Sequence, residues 1–181
     1  MSSSAVMSRR VHVLLRIAAL AGCLAPTALA AGERAPSAPG FEGRVLVAHN
    51  AERTRLGMAP LRWSPQLSQE AQRWASTLAR SGAFAHSHNR AGTGENLWMG
   101  TADWFTPEQM VGGFLSERRA FRPGRFPHVS ATGNWADVGH YTQVIWPETQ
   151  AVGCAVARGG RKDVMVCRYW PAGNVYGQPI G

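Results

Sequence analysis

The chain has 181 residues with 19 basic against 11 acidic side chains, a formal net charge of +8. That length fits one domain, and a 45% hydrophobic composition with seven tryptophans is enough to build a core. The basic residues, all arginine except Lys162, are scattered with no run interleaved with aromatics, which argues against nucleic-acid binding.

Residues 1–30 read as an export signal. Arg9, Arg10 and Arg16 make a positive start, and residues 17–25 form an apolar run too short to span a bilayer. Pro26 breaks the run, and Ala28-Leu29-Ala30 offers small residues before a cut ahead of Ala31. Two rival readings exist. Leu20-Ala21-Gly22-Cys23 looks like a lipoprotein box, which would anchor the protein at Cys23. Ser8-Arg9-Arg10 hints at a twin-arginine signal, although His12 stands where such signals prefer an apolar residue. The reading adopted is cleavage after Ala30 into a secreted or periplasmic monomer with no transmembrane helix. Without its leader the chain has 16 basic and 11 acidic residues.

Either leader reading leaves Cys154 and Cys167 in the folded domain. Two cysteines in an exported protein are expected to pair. A hairpin whose turn is centred between Gly160 and Arg161 would set them directly opposite each other, near disulfide geometry.

Residues 31–40, rich in proline, serine and glycine, read as a lead-in to a domain at 41–181. Phe41, Val45, Ala48 and Leu56 suggest a helix stopped by Gly57, with His49 as a structural hydrogen-bonding histidine. Leu61 and Trp63 flank Arg62 in a short extended piece. Ser64-Pro65 then starts a second helix, with Leu67, Ala71, Trp74, Ala75 and Leu78 on one face and Gly82 as its stop. His86 and His88 would share a face in an extended segment, one local arrangement for a metal pair. Glu95, among apolar neighbours, is expected partly out of solvent. Trp98, Met99, Trp104 and Phe105 read as a loop with an apolar contact surface.

Thr106-Pro107-Glu108-Gln109 is a capping box. Its helix is expected to carry Met110, Phe114, Glu117 and Phe121 on one stripe. A carboxylate there needs either a buried arginine partner or a role in a site. Residues 122–135 read as a loop with a solvated His128. The stretch Gly139-His140-Tyr141-Thr142-Gln143-Val144-Ile145-Trp146 fits a short helix or a strand equally well. Residues 152–157 and 164–169 are hairpin strands, and Pro171-Ala172-Gly173-Asn174 is expected to close the domain.

The Gly139–Trp146 stretch resembles the first signature of the CAP superfamily, the SCP domains. Val166-Cys167-Arg168-Tyr169-Trp170-Pro171-Ala172-Gly173-Asn174 resembles the second. His49-Asn50-Ala51-Glu52-Arg53 and Gly94-Glu95-Asn96-Leu97 resemble two minor ones. The resemblance implies an α+β fold, a three-layer α-β-α sandwich with a small antiparallel sheet, and makes the central stretch a short helix from near His140. It implies a cleft where His86, Glu95, Glu117 and His140 hold zinc or another divalent metal. Glu117 is matched only by its place on the third helix. Against the several disulfides of plant and animal members, only one is expected here, and no cysteine-rich C-terminal extension is expected.

The resemblance implies a binding or interaction module for lipid, sterol or an extracellular protein partner, with Trp98, Trp104 and Phe105 as lipid contacts. The alternative is a metal-assisted protease or esterase with Glu95 or Glu117 as general base. No Ser-His-Asp signature or His-Glu-x-x-His helix supports it.

Overall fold

The computed structural model of the chain describes Met1, residues 40–90 and residues 92–181. The expected leader features, Arg9, Arg10, Arg16, Cys23 and the cut after Ala30, lie outside the described residues. So does the lead-in up to residue 39. The described residues 40–181 belong to one compact unit. No described helix is long and apolar enough to cross a membrane.

Local chemistry sets most element boundaries. Helix α1 spans Phe41–Arg55, and Gly57 beyond it adopts φ 70°. Strand β1 is Arg62–Trp63. Helix α2, Pro65–Ser81, starts on Ser64, whose side chain accepts from Leu67 N–H, and ends at Gly82 in the left-handed region. Helix α3, Pro107–Leu115, opens with the complete Thr106–Gln109 capping box. Strands β4, Ala151–Gly159, and β5, Lys162–Trp170, form the hairpin, and their register places Cys154 opposite Cys167. The two cysteines form the disulfide.

Strand β2, Gly94–Thr101, completes a sheet of order β1-β4-β5-β2. The sheet is antiparallel except where the two-residue β1 runs parallel to β4. Alternation along the strands separates two cores. Val152, Cys154, Met165, Cys167 and Tyr169 face Val45 of α1, Phe114 of α3, and Tyr141 and Val144. Ala155, Val164 and Val166, with Leu97, face Ala71, Ala75 and Leu78 of α2. Gly153 permits the second contact, because a Cβ there would lie 2.2 Å from Ser68 N. Helices on both faces of the sheet make the three-layer α-β-α sandwich.

Three local expectations need correction. Trp98 and Met99 lie on β2, not in a loop, because the whole segment pairs with β5 from Gly94↔Tyr169 to Thr101↔Lys162. Helix α3 stops at Leu115 and tightens into a 3-10 turn over Ser116–Ala120, a common way for a helix to end. Glu117 therefore lies on the turn, and Phe121 is extended and bridges Ser130. The chain also continues past Asn174. Strand β6, Pro179–Ile180, pairs with β3, Gly124–Arg125, which ties down the long loop.

The central stretch is helix α4, Gly139–Val144. Arg53 of α1 holds its end. That guanidinium is 1% exposed and donates to the carbonyls of Val144 at 3.0 Å, Trp146 at 2.9 Å, Thr149 at 3.2 Å and Ala59 at 2.8 Å. Backbone oxygens rather than a carboxylate satisfy this buried cation.

Candidate functional site

Glu95 is on the second position of β2, directly across from Arg168 on β5. Its side chain is buried and fully hydrogen-bonded. Oε1 accepts from His86 Nδ1 at 2.7 Å and from Ser87 N–H at 2.9 Å. Oε2 accepts from Ser87 Oγ at 3.0 Å and faces Arg168 Nη2 at 3.2 Å. Burial alone would raise the carboxyl's pKa. The hydrogen bonds from His86 and Ser87 and the charge of Arg168 outweigh it, so the pKa is lowered.

A second pair is built the same way from different elements. Glu117 Oε1 accepts from His140 Nδ1 at 2.6 Å. Glu117 Oε2 accepts the backbone N–H groups of His140 at 2.9 Å and Tyr141 at 3.0 Å. The carboxylate thus caps the start of α4, whose own N-cap, Val138, makes no side-chain cap bond. The imidazole of His140 stacks on Phe114, with ring centroids 5.3 Å apart.

His86, Glu95 and His140 line one cleft of about 660 Å³, together with Asn96, Gln143 and Asn174. Glu117 stands behind His140 and lines a separate hollow with Asp137. In a neutral imidazole, an Nδ1–H given to a carboxylate leaves the lone pair on Nε2. Neither Nε2 makes a hydrogen bond among the described residues. No three of the four side chains bring ligand atoms within 4.8 Å of one another; among the described residues only His49, Cys154 and Cys167 do. That trio is no metal site, because its sulfurs are joined in the disulfide and both nitrogens of His49 are engaged. His88 is separated from His86 by the buried Ser87 and lines a different hollow.

The side chains around the cleft make contacts that no local sequence pattern announces. Asn96 Nδ2 donates to His140 O at 3.0 Å and to the Tyr169 hydroxyl at 3.2 Å. Asn174 bridges Gly139 O and Thr142 Oγ1. Phe126 lines the cleft between Trp135 and Tyr176, at centroid distances of 5.2 and 5.4 Å. No periodic signal marks those loop aromatics. The opposition of Arg168 to Glu95, by contrast, is readable once β2 is recognised as a strand.

The aromatics expected to contact lipid are distributed unevenly. Trp98 is half-buried against the larger core and meets Phe105 edge-on at 5.0 Å. Trp104 and Phe105 are 76% and 41% exposed. None of the three lines the cleft.

The chain is similar to known proteins. The model of the CAP, or cysteine-rich secretory protein, family matches residues 46–169. The chain is similar to pathogenesis-related protein 1C of Nicotiana tabacum, 38% identical over 135 residues that cover 74% of this chain and 76% of that one. It is also similar to pathogenesis-related protein PR-1 of Medicago truncatula, at 33% over 140 residues, with 76% and 78% covered. A crystal structure of NaASP2 with Zn2+ superposes with a TM-score of 0.67 at 25% identity, covering 77% of this chain and 83% of that one. BmVAL-1 gives 0.65 at 26% identity, with 78% and 82% covered.

Proposed function

The chain belongs to the CAP family of cysteine-rich secretory proteins, and from that premise we propose that it is an exported binding module whose cleft takes a divalent cation on His86 and His140. One observation carries this reading. Two imidazoles line the same cleft, each with Nδ1 held by a carboxylate and Nε2 unengaged among the described residues. A ligating histidine commonly gives its other N–H to a carboxylate, which sets the tautomer and raises basicity. The donor set therefore fits zinc, with Glu95 and Glu117 as the carboxylates behind the ligands. The zinc in the structure of NaASP2 supports the choice of metal. Bound there, the ion would supply a Lewis-acidic, positively charged centre able to meet an anionic group of a partner.

The hydrolase alternative finds less support. A general base needs a carboxylate oxygen free to take a proton. The four lone-pair sites of Glu95 meet His86, Ser87 N–H, Ser87 Oγ and Arg168, and Glu117 does not line the cleft. Contact with lipid, sterol or an extracellular protein is better served by the exposed Trp104 and Phe105.

Calorimetric titration with zinc tests the reading. Binding is expected in the parent chain and not in the His86→Ala, His140→Ala double variant. Full retention in that variant refutes the assignment. Native mass spectrometry of the exported protein tests lipid carriage. A repeatedly lipid-free spectrum with no sterol uptake counts against it.

A further inference from the structure

The face of the sheet that meets α2 carries a second hollow, of about 470 Å³. Glu70, Arg73 and Trp74 of α2 line it, with His88 and Arg90 from the loop before β2 and Arg168 of β5. Arg90 alone of these also lines the His86/His140 cleft.

Arg168 is 5% exposed. Its Nη1 donates to Thr93 Oγ1 at 3.1 Å, and its Nη2 donates to Ser87 Oγ at 2.8 Å and faces Glu95 Oε2 at 3.2 Å. Its Nε meets no acceptor among the described residues. A guanidinium presents five N–H donors in a fixed fork, and a buried donor left without a partner is unfavourable. The exposed Arg73 and Arg90 form no ion pair among the described residues. Burial lowers the pKa of Arg168, and the nearby charges of Arg90 and Arg73 lower it further, while Glu95 and Glu70 oppose them. Set against Glu70 and Glu95, the three arginines leave one positive charge in excess.

We propose that this hollow binds an oxyanion of the phosphate-ester class, held by the buried Arg168 and the exposed Arg73 and Arg90. A phosphate ester carries three acceptor oxygens, one for each guanidinium group that lines the hollow, and a negative charge that answers the excess positive charge there. A carboxylate would offer two acceptor oxygens instead of three. The site goes beyond the proposed cation cleft and does not depend on a metal there.

Calorimetric titration of the full chain with inorganic phosphate at low ionic strength tests it. Arg73→Gln with Arg90→Gln is expected to weaken phosphate binding about tenfold or more, the equivalent of about 1.4 kcal/mol. Arg119→Gln with Arg122→Gln removes the same charge elsewhere and is expected to leave binding unchanged. No phosphate isotherm in the parent chain, or an equal loss in both double variants, overturns the site. Flotation with phosphatidylcholine vesicles, with and without phosphatidate, then identifies the source. Retention by phosphatidate vesicles that inorganic phosphate displaces supports a lipid headgroup. Phosphate binding without retention supports a soluble phosphate ester.

Discussion

Nε2 of His49 lies 2.9 Å from the hydroxyl of Tyr169, joining α1 to β5 across the larger core. His49 Nδ1 is 2.8 Å from Val45 O, which can only accept, so Nε2 must receive the Tyr169 proton. The Tyr169 oxygen in turn accepts from Asn96, which also donates to the carbonyl of His140. A buried chain of hydrogen bonds thus links the first helix to the backbone of a cleft histidine.

This geometry needs a neutral His49, and burial pushes its pKa down to about 4 from 6.5. The unfolded chain therefore takes up the proton first as pH falls. The resulting stability is fully present above pH 6.5 and drains away as pH drops through about 4, a loss on the order of 3 kcal/mol. Urea midpoints measured between pH 7 and pH 4 should fall more steeply for the parent than for His49→Gln. Parallel curves would show that His49 does not carry the effect. The lowered carboxyl of Glu95 adds loss in the same direction at lower pH, as its folded pKa is crossed.

Glu117→Gln keeps the side-chain volume but removes the charge behind His140 Nδ1. Carboxylates in that position typically contribute about 10–100-fold in metal affinity. Zinc competition against a chromophoric chelator should show a loss of that size. An unchanged affinity would mean that Glu117 only caps α4.

Arg53→Met should destabilise the protein strongly, because it takes a donor from three buried carbonyls, those of Val144, Trp146 and Thr149, and from the partly buried carbonyl of Ala59. Each unmet buried group costs about 1–3 kcal/mol before water and relaxation recover part of it. A net loss of about 3 kcal/mol or more is expected in chemical denaturation. Arg53→Lys should not restore it, since an ammonium cannot span four acceptors in the geometry of the planar fork. Rescue by lysine would show that charge, not geometry, matters.

Cys154→Ala with Cys167→Ala removes a cross-link with a sequence separation of 13. Loop-closure entropy predicts a loss of about 3 kcal/mol. Thermal unfolding of the double variant and of the reduced parent should shift together. A shift in the double variant alone would mean that the substitution, rather than the cross-link, is responsible.

The sequence by itself determined the elements whose causes lie within a few residues. Ser64-Pro65, Gly82 and the Thr106–Gln109 box act over one helical turn, and the hairpin symmetry about Gly160 and Arg161 places Cys154 against Cys167. Resemblance to the family pointed to His86, Glu95, Glu117 and His140, but not to which acid pairs with which histidine. Only the tertiary structure decided that Glu117 caps α4 from a 3-10 turn 23 residues away, that Arg53 holds the far end of that helix, and that Trp98 lies on a strand. The physical reason is range. Caps and turns are closed by neighbours along the chain. The partner of a buried charge is whichever polar group packing brings within hydrogen-bond reach, and packing answers to the whole core.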